Sequence, residues 1–452
     1  MQSITSKKIQ FYSTHNLDDL PQLKKLASDE LLAMKAVAQV LPFRVNNYVI
    51  EELINWDNLP EDPIFQLTFP QKEMLSSEHL DKVIWHIQNN SPPKVLCEVV
   101  KTIRSQLNPY PSGQVEYNVP SLNGKPVPGI QHKYPQTVLI FPNAGQTCHS
   151  YCTFCFRWAQ FLGKDSFKFA THESGYFQDY LRQHKEVTDV LITGGDPMVM
   201  KASHLALYIE PLLDKEFEHI QTLRIGTKSM AYWPYRYITD LDSEDILRLF
   251  NKVVSAGKHL AIMAHFDHWK ELNTLVAQEA IRRILSTGAQ IRTQAPLLNR
   301  INDSSEVWIK MWQEQVRLGC IPYYMFVERN TGAKDYFEVP LVKAWNIFQE
   351  AIKNTSGLTR TVRGPVMSTL AGKIIVDGIT EIYGEKVFVL SFIQGRDPDW
   401  CKRPFFAQYD SKASWLNELK PAFKQKKFFY TDRLSEILKL AKNNEKDFYF
   451  SF

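Results

Sequence analysis

Six short runs rich in β-branched and aromatic residues alternate with amphipathic segments between residues 137 and 327. The runs are TVLIFPN, VTDVLITGG, TLRIGTK, HLAIMAHF, AQIRTQAPL and IPYYMFV, and the segments include SHLALYIEPLLDKEF, SEDILRLFNKVVSAG and QEAIRRILSTG. Such alternation is typical of β/α units whose strands form a parallel sheet. Because six units are fewer than the eight of a complete barrel, the sequence predicts an α/β fold with a partial (β/α)6 TIM-like barrel.

Other segments flank this core. We expect residues 1–115 to be mainly helical, residues 116–370 to form the partial barrel, and residues 371–452 to form a small extension that contains a β-hairpin. The first amphipathic pattern predicts a helix that starts near Asp18 and Asp19. The proline-rich segment WDNLPEDPIFQLTFP predicts a turn region between helices, and SLNGKPVPGIQHKYPQ predicts an irregular crossing into the core.

Composition limits the class of protein. The chain has 452 residues, of which 44% are hydrophobic and 23% charged, as in soluble globular proteins. A formal net charge of +4 demands no nucleic-acid or membrane partner. The sequence shows neither a signal-peptide core nor a run of about 18 apolar residues, so we expect a cytoplasmic location.

Three of the six cysteines, Cys148, Cys152 and Cys155, fall within eight residues, directly after the first predicted strand. Three thiolates this close can ligate three irons of an iron–sulfur cluster and leave the fourth iron open. A zinc site with His149 as fourth ligand is one alternative, and three unrelated buried cysteines are another. We expect Cys97 and Cys320 to be small buried hydrophobic residues.

Several polar residues and glycines fall at or just after the ends of the predicted strands. In barrels of parallel strands the reacting groups lie at the carboxyl ends of the strands, so these residues predict the position of the site. They are Gly194, Gly195, Asp196, Lys228, His265, Gln294 and Arg329.

The cysteine spacing matches the radical S-adenosylmethionine superfamily, and residues 40 to 390 resemble the lysine 2,3-aminomutase family. The matching segments include WDNLPEDPI, HKYP, DVLITGGDP, TQAPLLNRIND and PYYMF, in the family's order. The resemblance implies a [4Fe–4S] cluster on the three cysteines, S-adenosylmethionine and pyridoxal 5'-phosphate (PLP). It also implies S-adenosylmethionine contacts from the Gly194–Gly195–Asp196 turn and from Gln294.

The same resemblance assigns the PLP lysine to Lys373, which follows a small-residue turn. A solvated lysine at the start of a strand is the alternative. Lys133 and Tyr134 match positions near the cofactor phosphate, although Thr137 stands where the family has a second arginine, and Lys133 could equally be a surface lysine. Arg157 matches the arginine that binds the substrate carboxylate, unless it pairs with an acidic neighbour.

The substrate pocket differs from that of the lysine enzymes. The resemblance places Arg329 and Arg363 where those enzymes hold the distal ammonium of lysine with two aspartates. Two guanidiniums repel an ammonium and attract a carboxylate, which predicts an acidic substrate, glutamate or aspartate. Because a one-residue slip would align Glu328 instead, lysine or arginine is the alternative. Cys401 is the one cysteine beyond residue 320, so a C-terminal zinc cluster is not expected.

The resemblance implies a 2,3-amino shift that gives a β-amino acid. We also expect an electron donor such as flavodoxin or ferredoxin, a homo-oligomeric assembly, and neither a nucleic-acid nor a membrane partner. The alternatives are another radical reaction with PLP, such as elimination or epimerisation, and a non-catalytic iron–sulfur or zinc-binding interaction protein. An RNA-modifying radical enzyme would need a basic binding face or an appended RNA domain, and the sequence shows neither clearly.

Overall fold

The computed structural model describes residues 4–108, 117–162, 170–171 and 174–449, with side chains through residue 440. The strands are β1 Phe11–Ser13, β2 Arg44–Asn46, β3 Ser121–Leu122, β4 Lys125–Pro126, β5 Ile130–Tyr134, β6 Thr137–Ile140, β7 Asp189–Ile192, β8 Thr222–Thr227, β9 His259–His265, β10 Gln290–Leu297, β11 Ile321–Val327, β12 Arg363–Ser368, β13 Gly372–Ile382, β14 Glu385–Gly395 and β15 Pro404–Gln408. The helices are α1 Ser28–Val40, α2 Pro63–Thr68, α3 Ser77–Gln88, α4 Pro93–Leu107, α5 Ser174–Gln183, α6 Ala202–Ile209, α7 Ser229–Tyr232, α8 Ser243–Ser255, α9 Leu275–Leu285, α10 Ser305–Arg317, α11 Lys334–Phe337, α12 Leu341–Lys353 and α13 Thr431–Tyr449.

One sheet of 11 strands, β5 to β15, organises the molecule, and its strands lie in the same order as in the chain. Strands β6 to β12 are parallel, whereas β5 and the three strands after β12 pair antiparallel with their neighbours. Helices connect the parallel strands, so the carboxyl ends of these strands face the same edge of the sheet. The mixed α/β class is therefore confirmed. Closure of the sheet into a partial barrel stays a prediction.

The parallel strands are formed by short Val-, Ile- and Leu-rich runs whose buried residues alternate, as in β8. The connecting helices bury one apolar face each. In α8, for example, Ile246, Leu249, Phe250 and Val253 face the core. A second apolar cluster lies between β12–β15 and the adjacent helices, and includes Ile374, Phe388 and Trp400.

All six predicted strands are present, and a seventh parallel strand, β12, follows them. The sequence did not predict it, because Gly364 and Pro365 are residues that strands disfavour. The hairpin predicted in the extension is also present, as β13 and β14.

Four local predictions were wrong. The first α-helix starts at Ser28, and only a short 3-10 turn, Leu17–Asp19, includes Asp18 and Asp19. The segment predicted as turns contains α2, which Asp62 caps by accepting hydrogen bonds from two backbone N–H groups. The predicted irregular crossing contains β3, β4 and β5. Cys97 is exposed, whereas Cys320 is buried as expected.

The division of the chain at residues 115 and 370 stays a prediction, and its first boundary lies outside the described residues. Over the part of the chain that the structure describes, no helix is long and apolar enough to cross a bilayer.

Candidate active site

The three clustered cysteines lie in the loop that leaves β6, and the N-terminal region holds this loop in place. The backbone N–H of Tyr151 donates to the Arg44 carbonyl oxygen at 2.8 Å, and that of Thr153 to the Leu67 carbonyl oxygen at 3.0 Å. The Asn46 side-chain amide donates to the carbonyl oxygens of both His149 and Tyr232, at 2.9 and 2.8 Å. Residues far apart in sequence therefore fix the position of the thiols.

Burial governs the chemistry of these thiols. It raises the pKa of Cys148 and Cys152 well above the usual value of 9.0, and that of Cys155 to about 11. The neighbouring thiols and Asp196 further raise the pKa of Cys148. A free thiolate is thus disfavoured here, whereas a thiolate bound to iron has its charge compensated.

Among the described residues, no three His, Cys, Asp or Glu side chains converge on the position of one metal ion, and this includes His149 with the cysteines. A [4Fe–4S] cluster has no need of such convergence, since each thiolate binds a different iron. Three unpaired, desolvated thiols in one loop are therefore a donor set that fits the cluster.

The Gly194–Gly195–Asp196 turn packs directly against the cysteine loop. The Asp196 N–H donates to the carbonyl oxygens of Gly145 and Thr147, at 3.1 and 2.7 Å. A Cβ atom on Gly195 would lie 2.5 to 2.7 Å from three backbone atoms of Thr147, so no larger residue fits there. The turn that follows β7 and the residue that precedes Cys148 are thus in contact.

The Asp196 carboxylate accepts hydrogen bonds from the Thr227 hydroxyl and from the N–H groups of Met198 and Lys228. Burial raises its pKa to about 6. These bonds connect the ends of β7 and β8. They also engage both carboxylate oxygens within the protein, so the expected contact of this residue with S-adenosylmethionine remains a proposal.

Gln294 lies inside β10 rather than after it, beside the last residue of β9. Its Nε2 atom is 2.7 Å from Nε2 of His265. Burial lowers the pKa of His265 to about 4, so the imidazole is neutral at physiological pH. The pair therefore forms a neutral polar group between the carboxyl end of β9 and the middle of β10.

Sequence reasoning missed a buried ionic group beside the cysteines. The Lys228 ammonium lies 2.7 Å from Asp267 and 2.6 Å from Glu271, and both carboxylate side chains are 0% exposed. The same ammonium lies 4.4 Å from the ring centre of Tyr232, whose hydroxyl is 3.7 Å from the Cys152 sulfur. Two acids in FDHWKE, right after a predicted strand, were the signal for this group.

Three arginines predicted to bind substrate lie against aromatic rings. The guanidinium carbon of Arg157 is 4.3 Å from the ring centre of Phe141, and that of Arg329 is 4.2 Å from Phe156. Arg363 lies 4.5 and 4.7 Å from two tyrosine rings. Over the described residues, no carboxylate lies within ion-pair distance of any of the three.

Arg157 and Arg329 lie close enough to affect each other. Burial, with a smaller contribution from the positive charge of Arg329, lowers the pKa of Arg157 to about 10. Glu328 adjoins Arg329 in sequence, but burial raises its pKa well above the usual range, which favours the neutral acid. The positive charge of these arginines is therefore largely uncompensated.

Lys373 lies at the start of β13, and its amine donates to the Gln394 side-chain oxygen at 3.0 Å. Burial lowers its pKa to about 8, and Arg224 and Arg363 contribute in the same direction. The amine lies 5.2 Å from the ring centre of Tyr134 and 5.8 Å from that of Tyr324. A desolvated amine with a lowered pKa beside aromatic rings fits a lysine that binds PLP covalently.

Lys133 is not a surface lysine. Its ammonium donates to the Thr369 carbonyl oxygen, and burial lowers its pKa well below the usual value. Thr137, on the adjacent strand, donates to Asp189 at 2.9 Å. Sequence reasoning also missed Gln394 and Arg396, which reach the Lys373 region from the far end of β14.

Comparisons with known proteins point to aminomutases. No family model matches the chain. It is 29% identical over 400 residues to an Aquifex aeolicus (strain VF5) protein provisionally named L-lysine 2,3-aminomutase, covering 88% of this chain and 93% of that protein. It is 30% identical over 232 residues to the glutamate 2,3-aminomutase of Clostridioides difficile (strain 630), covering 51% of each. The crystal structure of Streptococcus suis SuiB bound to precursor peptide SuiA matches 63% of each chain with 14% identity and a TM-score of 0.34, which is too low to support an argument.

These relatives identify the chain as an enzyme of the isomerase class, an aminomutase. At 25–30% identity the chain is similar to lysine and glutamate 2,3-aminomutases, from which it has diverged.

Proposed function

We propose that this protein is a 2,3-aminomutase whose substrate is an acidic α-amino acid, glutamate or aspartate, in preference to lysine. The proposal rests on one observation, the set of partly buried arginines without described carboxylate partners: Arg157, Arg329 and Arg363. Like charges in a region of low dielectric repel more strongly than in water. A substrate with two carboxylates compensates this charge, whereas a second ammonium adds to it.

Each arginine has a separate role in the proposal. Arg157 lies two residues after Cys155 and near the thiols, as the effect of Cys155 and Cys148 on its pKa indicates. It binds the α-carboxylate, since its planar fork suits bidentate binding. Arg329, whose Nη2 donates to the Ser368 hydroxyl at 3.1 Å, and Arg363 attract the distal carboxylate.

Other residues hold the cofactors. Cys148, Cys152 and Cys155 ligate the cluster, and Gly194, Gly195, Asp196 and Gln294 contact S-adenosylmethionine. Lys373 binds PLP covalently, with Lys133 and Tyr134 beside it. When bound, the cofactors supply the radical chemistry and stabilise the migrating nitrogen. The protein orients the substrate, excludes water and, with a Lys373 pKa of about 8, keeps part of the amine unprotonated near neutral pH.

The wider proposal includes a flavodoxin or ferredoxin as electron donor, a homo-oligomeric assembly, and parallel strands that curve into a partial barrel. It also includes a cytoplasmic location, because free thiols and an iron–sulfur cluster suit a reducing compartment.

The test is a substrate screen of the reconstituted enzyme under reducing, anaerobic conditions, with glutamate, aspartate, lysine and arginine. We expect a β-amino acid from glutamate or aspartate. Arg329→Gln and Arg363→Gln should each lower kcat/KM for that substrate by roughly tenfold to a hundredfold, the effect of one charge-assisted hydrogen bond. Arg360→Gln is the matched control, since Arg360 is exposed and donates only to a backbone oxygen.

Lysine or arginine as the best substrate would refute the acidic preference. A product other than a β-amino acid would refute the amino shift. If neither arginine substitution changes the ranking of substrates or kcat/KM, the assigned roles of Arg329 and Arg363 are wrong.

A further inference from the structure

The turn before Lys373 lies between two cationic side chains that come from opposite ends of the sheet. Lys133, on β5, donates to the Thr369 carbonyl oxygen. Arg396, directly after β14, donates through Nε to the Leu370 carbonyl oxygen at 2.9 Å, and its backbone N–H donates to the Ala371 carbonyl oxygen at 3.0 Å. Three successive carbonyl groups of this turn are thus held by two cationic residues.

Strand pairing fixes this arrangement. Gly372 pairs with Gly395 and Lys373 with Gln394 across β13 and β14. A Cβ atom on Gly372 would lie 2.2 Å from the Gln394 carbonyl oxygen, so the two strands are in close contact there. Arg396 therefore cannot move away from Lys373 without breaking the ladder.

Arg396 and Lys133 both keep N–H groups that can donate hydrogen bonds to a ligand. A guanidinium has five N–H donors, and Arg396 uses three, on Leu370, the Tyr117 carbonyl oxygen at 3.2 Å and the Asn118 side chain at 2.5 Å. Lys133 uses one of three, on Thr369.

The positive charge of these side chains and of Lys373 is also uncompensated. Among the residues that the structure describes, no carboxylate lies within ion-pair distance of Arg396, Lys133 or Lys373. Burial and the nearby positive charge of Arg396 both lower the pKa of Lys133. In the same turn, the N–H groups of Leu370 and Ala371 donate to no described acceptor.

We propose that Arg396, together with Lys133, binds the phosphate of PLP. This inference rests on the proposed function, because it takes Lys373 as the lysine that binds the cofactor. The aldehyde and the phosphate arm of PLP are carried on neighbouring positions of one ring, so a phosphate site must adjoin the reactive amine. A phosphate dianion matches two adjacent cations with free donors and two free backbone N–H groups.

The experiment compares PLP with pyridoxal, which has the aldehyde but lacks the phosphate. The apoprotein is titrated with each compound and binding is read from the absorbance change. Arg396→Gln should weaken PLP binding by about tenfold to a hundredfold and leave pyridoxal binding within about twofold. Arg403→Gln is the matched control, because Arg403 lies in the same extension and contacts Phe429 instead.

Each outcome decides the question. Unchanged PLP binding by a folded Arg396→Gln protein overturns the proposal. Equal losses for PLP and pyridoxal also overturn it, since they show that Arg396 only supports the turn. If Arg396→Gln does not fold, Arg396→Lys replaces it, and that variant should keep part of the preference for PLP over pyridoxal. A wild-type apoprotein that binds neither compound refutes the assignment of Lys373 itself, which is a separate result.

Discussion

The Gly195 α-carbon and the Thr147 backbone are so close that a Cβ on Gly195 would lie 2.5 Å from the Thr147 carbonyl oxygen. Thr147 precedes the first cysteine of the loop, and Gly195 belongs to the turn that follows β7. Because backbone atoms on both sides form the contact, no rotation of a side chain can relieve a clash there. The position of the thiols therefore depends on the turn beside them.

Gly195→Ala should displace the cysteine loop and lower the iron and sulfide content of the reconstituted protein to less than half of the wild-type value. The reason is that the added methyl group must push Thr147, and Cys148 with it. Iron and acid-labile sulfide per chain measure the effect. Gly175→Ala is the control, since a Cβ at Gly175, in α5, meets nothing within 4 Å. Full cluster content in Gly195→Ala would contradict the prediction.

Replacing any one of Cys148, Cys152 and Cys155 with Ala should abolish the visible absorbance of the [4Fe–4S] cluster. In the proposed site each thiolate would bind a different iron, so the remaining two could not hold a complete cluster. Cys320→Ala and Cys97→Ala should keep the cluster, because one residue is buried elsewhere and the other is exposed. A cluster retained in a Cys152→Ala protein would argue against the assigned ligands.

Lys228→Met should destabilise the protein by about 3–5 kcal/mol, because it leaves Asp267 and Glu271 as buried acids without a cation. Guanidinium-induced unfolding of the apoprotein measures the change. Lys252→Met is the matched control: the Lys252–Glu210 pair is exposed and should contribute less than about 1 kcal/mol. Adding Asp267→Asn and Glu271→Gln to Lys228→Met should recover part of the loss. If these substitutions restore none of the lost stability, Lys228 stabilises the protein by packing and not by neutralising the two acids.

The rate of covalent PLP attachment should rise with pH and level off above about pH 8, since only the neutral Lys373 amine reacts and its pKa is about 8. At pH 7 roughly one amine in ten is then neutral, against about one in three thousand for an ordinary lysine. Arg363→Gln removes a neighbouring cation and should shift the inflection to higher pH. Stopped-flow absorbance from about pH 6 to 10 gives the profile, with Arg360→Gln as control. An inflection near the ordinary lysine pKa would exclude the buried amine as the reactive group.

Sequence patterns predicted the elements that depend on the residues of one short stretch of chain. The six parallel strands follow from short apolar runs, and the hairpin from two such runs around Tyr383–Gly384. The strand β12 was missed because its Gly364 and Pro365 contradict strand propensity, and the neighbouring β11 and β13 impose the extended conformation on it. The helix α2 could have been predicted, since Asp62 followed by Pro63 is a standard helix start.

The site was only partly predictable, for a physical reason. Spacing in the chain identifies Cys148 as one of three close thiols, and resemblance singles out Lys373. Arg396 carries no local signal, because its position beside Lys133 arises from antiparallel pairing across β13 and β14 and from the full width of the sheet. Similarly, a charged Lys228 was expected at a strand end, but its two buried partners depend on how the loop after β9 folds back.

The order of the 11 strands along the chain also has a consequence for biosynthesis. The cysteines leave the ribosome more than 200 residues before Lys373 and Arg396. At about 5–20 residues per second, this separation corresponds to roughly 10–45 s. Throughout that interval the nascent protein has the proposed iron ligands but neither the lysine proposed to bind PLP nor the strands that bury it, so the two halves of the proposed site are completed at different times.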